Sequence, residues 1–259
     1  MLIQKESIPV VINPLDHTLK YHGVNIISDS IFFDLEHYLY KEPIAIGVFG
    51  AAVYKEEDKA IQTTQYMIEN RRDARTILNM TKDYFKEMKK EGKKYLVTFS
   101  GNNDFLVVNH LFKKYDIDYK FEEEFHLVDI QKEYETKFSK NIGLKNLERL
   151  HQIERYGELI SGMTLAKTFS KIIKDKGYID RMPEEKIIKI LKYNEQDVVN
   201  LFNIMNRWEE VTLEDVMKLE EKLLKEKLEK LEMKRLLQQE ADKEREDPVQ
   251  MDNMAGEMS

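Results

Sequence analysis

Apolar residues recur along the chain in three rhythms, and each predicts a different part of the architecture. Short apolar runs at 31–35, 44–53 and 60–68 are separated by short links, the second holding Gly47 and Gly50 and the third alternating loosely around Thr63 and Thr64. Three consecutive strands so joined predict an antiparallel meander. Over 72–210 the rhythm changes. Ile77, Leu78, Tyr84, Phe85 and Met88 have helical spacing and predict a helix over 74–90. A buried strand over 94–99, a helix over 104–114 and a short strand over 126–130 follow. The clearest later helices are 146–150, 165–174 and 183–208, with Pro183 suited to the first turn of the last. Together these predict an α/β fold, a mixed β-sheet flanked by helices on both faces. The strand from Ile31 is expected to be central, because its apolar run suggests cover on both sides.

The ends read differently. Residues 1–30 form a lead-in with short strands expected at 9–12 and 24–27, around the turn-prone Asn13-Pro14. Residues 212–246 form a third rhythm, in which Leu213, Met217, Leu224, Leu228 and Leu231 follow a 3–4 spacing between Glu and Lys residues. The heptad is broken, so a C-terminal charged amphipathic helix is expected to pack on its own domain or on a protein partner. The expected organisation is a 1–30 lead-in, a 31–211 α/β domain, a 212–246 helix and a disordered 247–259 tail.

Composition narrows the function classes. With no Cys among 259 residues there is no disulfide, iron–sulfur cluster or thiolate zinc site. No run of 18 apolar residues exists, so no membrane partner is expected. The N-terminus lacks a basic-then-apolar leader, and a cytoplasmic location is expected. The net charge of −7 is uneven: from Thr212 onward there are 14 acidic and 9 basic residues, which leaves 34 acids and 32 bases in the first 211. The body is nearly neutral, and a local basic surface for nucleic acid is compatible with it.

The chemistry lies in three separated acidic positions. Asp34 and Glu36 sit at the end of an apolar strand, and a period of two sends both to one face. Adjacent carboxylates repel unless a cation lies between them, and hard oxygen donors suit Mg²⁺ or Mn²⁺. Asp104 follows a buried strand and the turn Ser100-Gly101-Asn102-Asn103, and opens a helix. Tyr193 and Asp197 are one helical turn apart on a late helix, beside the apolar Val198, Val199, Leu201 and Phe202. An Asp at the edge of an apolar stripe needs a partner or a metal. Each signal alone also fits a solvated strand end, an N-terminal helix acid or a helix-face residue.

In order, these stretches resemble the DEDD exonuclease superfamily of ribonuclease H-like folds in its tyrosine-bearing form, and most closely its YprB-type domain. Phe32-Phe33-Asp34-Leu35-Glu36 resembles the first motif and Thr98-Phe99-Ser100-Gly101-Asn102-Asn103-Asp104-Phe105 the second. Gly143-Leu144-Lys145-Asn146-Leu147-Glu148 resembles a further family stretch, and Tyr193-Asn194-Glu195-Gln196-Asp197-Val198-Val199-Asn200-Leu201 the third motif. The likeness spans roughly 30–208. His37 stands where many relatives have Thr, and Tyr193 where several have His; neither departure removes a carboxylate. The resemblance implies a metal-dependent 3′→5′ exonuclease acting on single-stranded DNA or RNA with two divalent cations, Mg²⁺ or Mn²⁺. It implies that Asp34 bridges both ions, that Glu36 and Asp197 hold one of them, and that Asp104 helps hold the other. Tyr193 would orient the attacking water. Structural roles are expected for His126, Asp129, Phe99 and Phe105, and a solvated one for Lys145. The alternative class is a catalytically weak nucleic-acid-binding or scaffold module acting through its C-terminal helix. The intact carboxylate set favours the enzyme; the near-neutral body and acidic tail, which repels nucleic acid, favour the scaffold.

Overall fold

A computed structural model describes residues 1–157 and 160–246. The strands are β1 (Leu2–Pro9), β2 (Lys20–Tyr21), β3 (Val24–Asn25), β4 (Ser30–Tyr40), β5 (Glu42–Lys55), β6 (Ala60–Met67), β7 (Tyr95–Thr98) and β8 (His126–Asp129). The α-helices are α1 (Asp73–Lys90), α2 (Asn102–Lys114), α3 (Phe121–Glu124), α4 (Ile130–Phe138), α5 (Leu144–Leu150), α6 (Gly162–Lys174), α7 (Tyr178–Arg181), α8 (Glu184–Asn206) and α9 (Leu213–Glu246). Six strands form one mixed sheet in the order β1-β6-β5-β4-β7-β8, and β2 pairs with β3 apart from it. The expected meander is present: β4, β5 and β6 pair antiparallel, while β7 and β8 add on parallel to β4.

β4 is central, as its apolar run predicts, and its alternation sorts the core into two layers. Phe33 points to one face and meets Phe85 of α1 at 5.4 Å and Phe121 of α3 at 6.5 Å between ring centroids. Phe32 points to the other and meets Phe202 of α8 edge-on at 5.7 Å. All five rings are fully buried. Burial of each such side chain stabilises the fold by about 1.5–3 kcal/mol, so these rings fix α1 and α8 on opposite faces of one strand. α8 packs along β4, β5 and β6, and α6 along β4.

Three expectations change. The lead-in strand lies at Leu2–Pro9 and not at 9–12, and it pairs with β6 as the edge of the main sheet. Its central Gln4-Lys5-Glu6-Ser7 is polar because only one side of an edge strand meets the core, which hides the apolar signal; Pro9, with no N–H to donate, ends it. β4 runs on to Tyr40, so Asp34 and Glu36 lie mid-strand; pairing with β5 continues through register shifts at Glu36/His37 and Tyr38/Leu39. The helix expected over 183–208 ends at Asn206, and Trp208–Glu210 forms a 3₁₀ turn with Trp208 buried.

Residues 1–211 form one compact unit, and the unit from Thr212 holds α9. Within the latter, the Asp215 carboxylate accepts from Thr212 N at 3.0 Å while Asp215 N donates to Thr212 Oγ1 at 3.3 Å. This reciprocal cap starts the helix at the expected place. Leu224, Leu228 and Leu231 are exposed along it. The tail expected to be disordered, 247–259, lies outside the described residues. Among the described residues no helix is long and apolar enough to cross a membrane.

Candidate active site

The site begins with the register of β4 on β5. Asp34 and Glu36 share the Phe32 face, where α8 packs, and Asp34 lies directly across from Gly50. A Cβ at Gly50 would overlap the carboxamide of Asn194, so glycine is what lets α8 come this close. Asn194 is fully buried, and its Nδ2 donates to Asp34 Oδ2 at 3.0 Å. Its own Oδ1 accepts from Gln65 Nε2 of β6 at 2.9 Å, and the same Gln65 nitrogen donates to the Leu191 carbonyl at 2.8 Å. One chain of amides thus ties β6, α8 and β4 to the first carboxylate.

Three residues beyond Asn194, Asp197 faces the same space. One carboxylate oxygen from each of Asp34, Glu36 and Asp197 lies within 4.8 Å of the other two. Asp104 arrives separately, from the first turn of α2 beyond the end of β7. The turn before it is held by Asp129, whose Oδ1 accepts from Ser100 N at 2.9 Å and from Gln131 N at 3.0 Å, where it caps α4. Ser100 itself is left-handed, with φ 54°. Asp129 therefore has the structural role expected of it.

The four carboxyls crowd one another out of water. Asp34 is raised well above its usual value by burial, then by the charges of Asp197, Asp104 and Glu36, with Asn194 pulling the other way. Burial, then Asp197 and Asp104, pushes Glu36 up to about 8. Burial and the charges of Asp197 and Asp129 push Asp104 up to about 7. Asp197 rises to about 6, burial raising it and Arg155 holding it down. Asp104 is thus joined to the others electrostatically, outside the close trio. Tyr193 is half-buried one turn before Asp197, and burial and Asp197 raise its hydroxyl above the ordinary tyrosine value. The exposed Lys145 has its Nζ 5.7 Å from the Tyr193 ring centroid.

This donor set fits a divalent cation: all ligand atoms are hard oxygens, they converge from β4 and α8, and burial and mutual repulsion raise the proton affinity of each. A family model described as the RNase_H superfamily matches residues 31–209. The chain belongs to the ribonuclease H superfamily. Members of the superfamily are usually hydrolytic nucleases that use divalent metals and bind nucleic acids, and a nuclease function follows at that level for this chain. No curated protein matches the chain. In this superfamily member the fold brings together Asp34, Glu36 and Asp197, with Tyr193 one turn away and Asp104 beside them; sequence reasoning assigns no role to Gly50, or to Asn194 and Glu148 beyond their place in the motif stretches, and none to Gln65 and Arg155. For Glu148 a signal exists: it follows Leu144 by four residues on the apolar side of α5, an odd place for a carboxylate. Arg155, in the segment after α5, has none.

Proposed function

We propose that this domain is a 3′→5′ exonuclease of the tyrosine-bearing DEDD type, hydrolysing phosphodiester bonds at the ends of single-stranded DNA or RNA. The observation that carries the reading is the convergence of Asp34, Glu36 and Asp197, from strand and helix, to within 4.8 Å. The order of the motifs in the chain supports the type and the polarity. Asp34, Glu36, Asp104 and Asp197 would hold two cations, Mg²⁺ or Mn²⁺. Bound there, the cations supply neutralisation of phosphate charge and stabilisation of the attacking and leaving oxygens.

The chain's own residues do the rest. Asn194 fixes the Asp34 carboxylate in one orientation. Tyr193 is neutral at pH 7, as an ordinary phenol is, and burial raises its proton affinity further, so its hydroxyl both donates and accepts. It stands one helical turn from Asp197, where it orients a water toward the scissile phosphorus. The raised carboxyls release their protons as cations bind, so the empty trio does not stay fully charged at neutral pH.

Oligonucleotides labelled at the 5′ end, DNA and RNA in parallel, test this with Mg²⁺ or Mn²⁺ present. A ladder of products shortened from the 3′ end, abolished by EDTA and in the Asp34→Ala variant, is expected. Cleavage that survives EDTA, or an Asp34→Ala variant as active as the natural protein after chelation and re-addition of metal, overturns the reading.

A further inference from the structure

Arg155 stands among these residues and touches neither cation nor substrate in the two-metal reaction. It lies in the segment between α5 and α6, with its side chain only 11% exposed. Its Nε and Nη2 donate to the two oxygens of Glu148 at 2.5 and 2.6 Å, a bidentate pair. Glu148 is 1% exposed and takes a further bond from Asn200 Nδ2 of α8 at 2.9 Å. The same Nη2 donates to Asp197 Oδ1. The guanidinium carbon also lies 5.5 Å from the Tyr193 ring centroid. One cation therefore touches both α8 residues of the site while anchored to a carboxylate outside it.

We propose that Arg155 is a positioning residue for the cation site, holding Asp197 by Oδ1 so that its second oxygen is presented with those of Asp34 and Glu36. Glu148 stands outside the group of carboxylates that converge, and its oxygens face Arg155 and Asn200. Its role is to lock the guanidinium plane, since a carboxylate out of water requires a charged, bonded partner. The planar fork reaches two carboxylates at once, which a lysine ammonium on a flexible stem does not reproduce. Partners that orient metal ligands in this way change metal affinity by about 10–100-fold when removed.

The inference rests on the nuclease reading, and the test separates the two. In the double variant Glu148→Gln/Arg155→Met the buried pair is removed together: the carboxamide oxygen introduced in place of the carboxylate still accepts from Asn200, and neither member of the pair is left charged without the other. Mn²⁺ binding is measured without substrate by the loss of the free-ion electron paramagnetic resonance signal. Melting temperature and turnover of a short oligonucleotide are measured beside it. Half-saturation by Mn²⁺ is expected to rise at least tenfold in a protein that still melts cooperatively, with kcat lowered and KM for the oligonucleotide changed less than twofold. Arg155→Lys keeps a charge beside Glu148 and is expected to show the same Mn²⁺ shift, which covers the case of a double variant that does not fold. Folded variants that bind Mn²⁺ as tightly as the natural protein overturn the role of Arg155 and leave the nuclease reading standing. A natural protein that neither binds Mn²⁺ nor cleaves sinks that reading, and this one with it.

Discussion

At Asp34 the partner inside the protein is a neutral amide, and at Asp197 it is a guanidinium; Glu36 has neither and is pushed up to about 8. These differences set the expected dependence on pH. A carboxyl whose folded value lies above its ordinary value keeps its proton in the folded state after the unfolded chain has lost it. The contribution of these carboxyls to the stability of the metal-free protein is therefore fully present below about pH 4 and is lost as pH rises through 6, 7 and 8, where Asp197, Asp104 and Glu36 lose their protons. Thermal melts in EDTA are expected to show that fall, and Asp34→Asn, which removes one charge from the crowd, is expected to flatten it. Added Mn²⁺ should raise the melting temperature more at pH 8 than at pH 5; equal shifts at both would contradict the assignment. Tyr193→Phe tests the hydroxyl alone. Losing one preorganised hydrogen bond costs about 2–4 kcal/mol in the transition state, roughly 30- to 1000-fold in rate. Single-turnover cleavage is expected to slow by that factor with the melting temperature unchanged, and a variant as fast as the natural protein would make Tyr193 a packing residue.

Elements carry the site through close approach. α8 comes down on β5 where Gly50 has no side chain, and that contact delivers Asn194 to Asp34. Gly50→Ala forces the helix and strand apart or displaces the amide. Overpacking of this kind costs about 1–3 kcal/mol. The midpoint of urea unfolding should drop accordingly and nuclease activity should fall with it; a variant of unchanged stability would show that the helix has room to spare. Most of these elements are legible in sequence because their apolar positions are clean. All five positions that predict α1 are buried, and the three runs of the meander form β4, β5 and β6. β1 escapes its pattern because an edge strand buries too little to show one. The true length of β4 is hidden because charged residues read as a strand's exit, whereas here they face the site.

For the whole molecule, sequence order is a better guide than any local pattern. Asp34, Asp104 and Asp197 come from three elements far apart in the chain, and the fold brings their charges within reach of one another. What stays illegible is the scaffolding between them. Arg155 reaches a partner 42 residues away, and no spacing rule connects a loop residue to a helix in that way. The unit from Thr212 carries much of the acidity, and its helix has exposed Leu224, Leu228 and Leu231. A chain ending at Val211 contains every residue assigned to the site. It is expected to keep its turnover on short oligonucleotides; a large loss in a folded truncation would make α9 part of the catalytic apparatus.

The chain of amides from Gln65 through Asn194 to Asp34 has a consequence for robustness. Carboxamides carry no titratable proton between the extremes of pH, and salt scarcely weakens their bonds, so the link from Gln65 to Asn194 is the same in acid as in base; only the last bond, to Asp34, strengthens when that carboxyl is ionised. Arg155 is a different kind of brace, one whose grip on Asp197 depends on charge. The neutral amide behind Asp34 is thus built like a surveyor's datum, the same mark whatever the medium, and adjustment to conditions is left to the groups that carry charge.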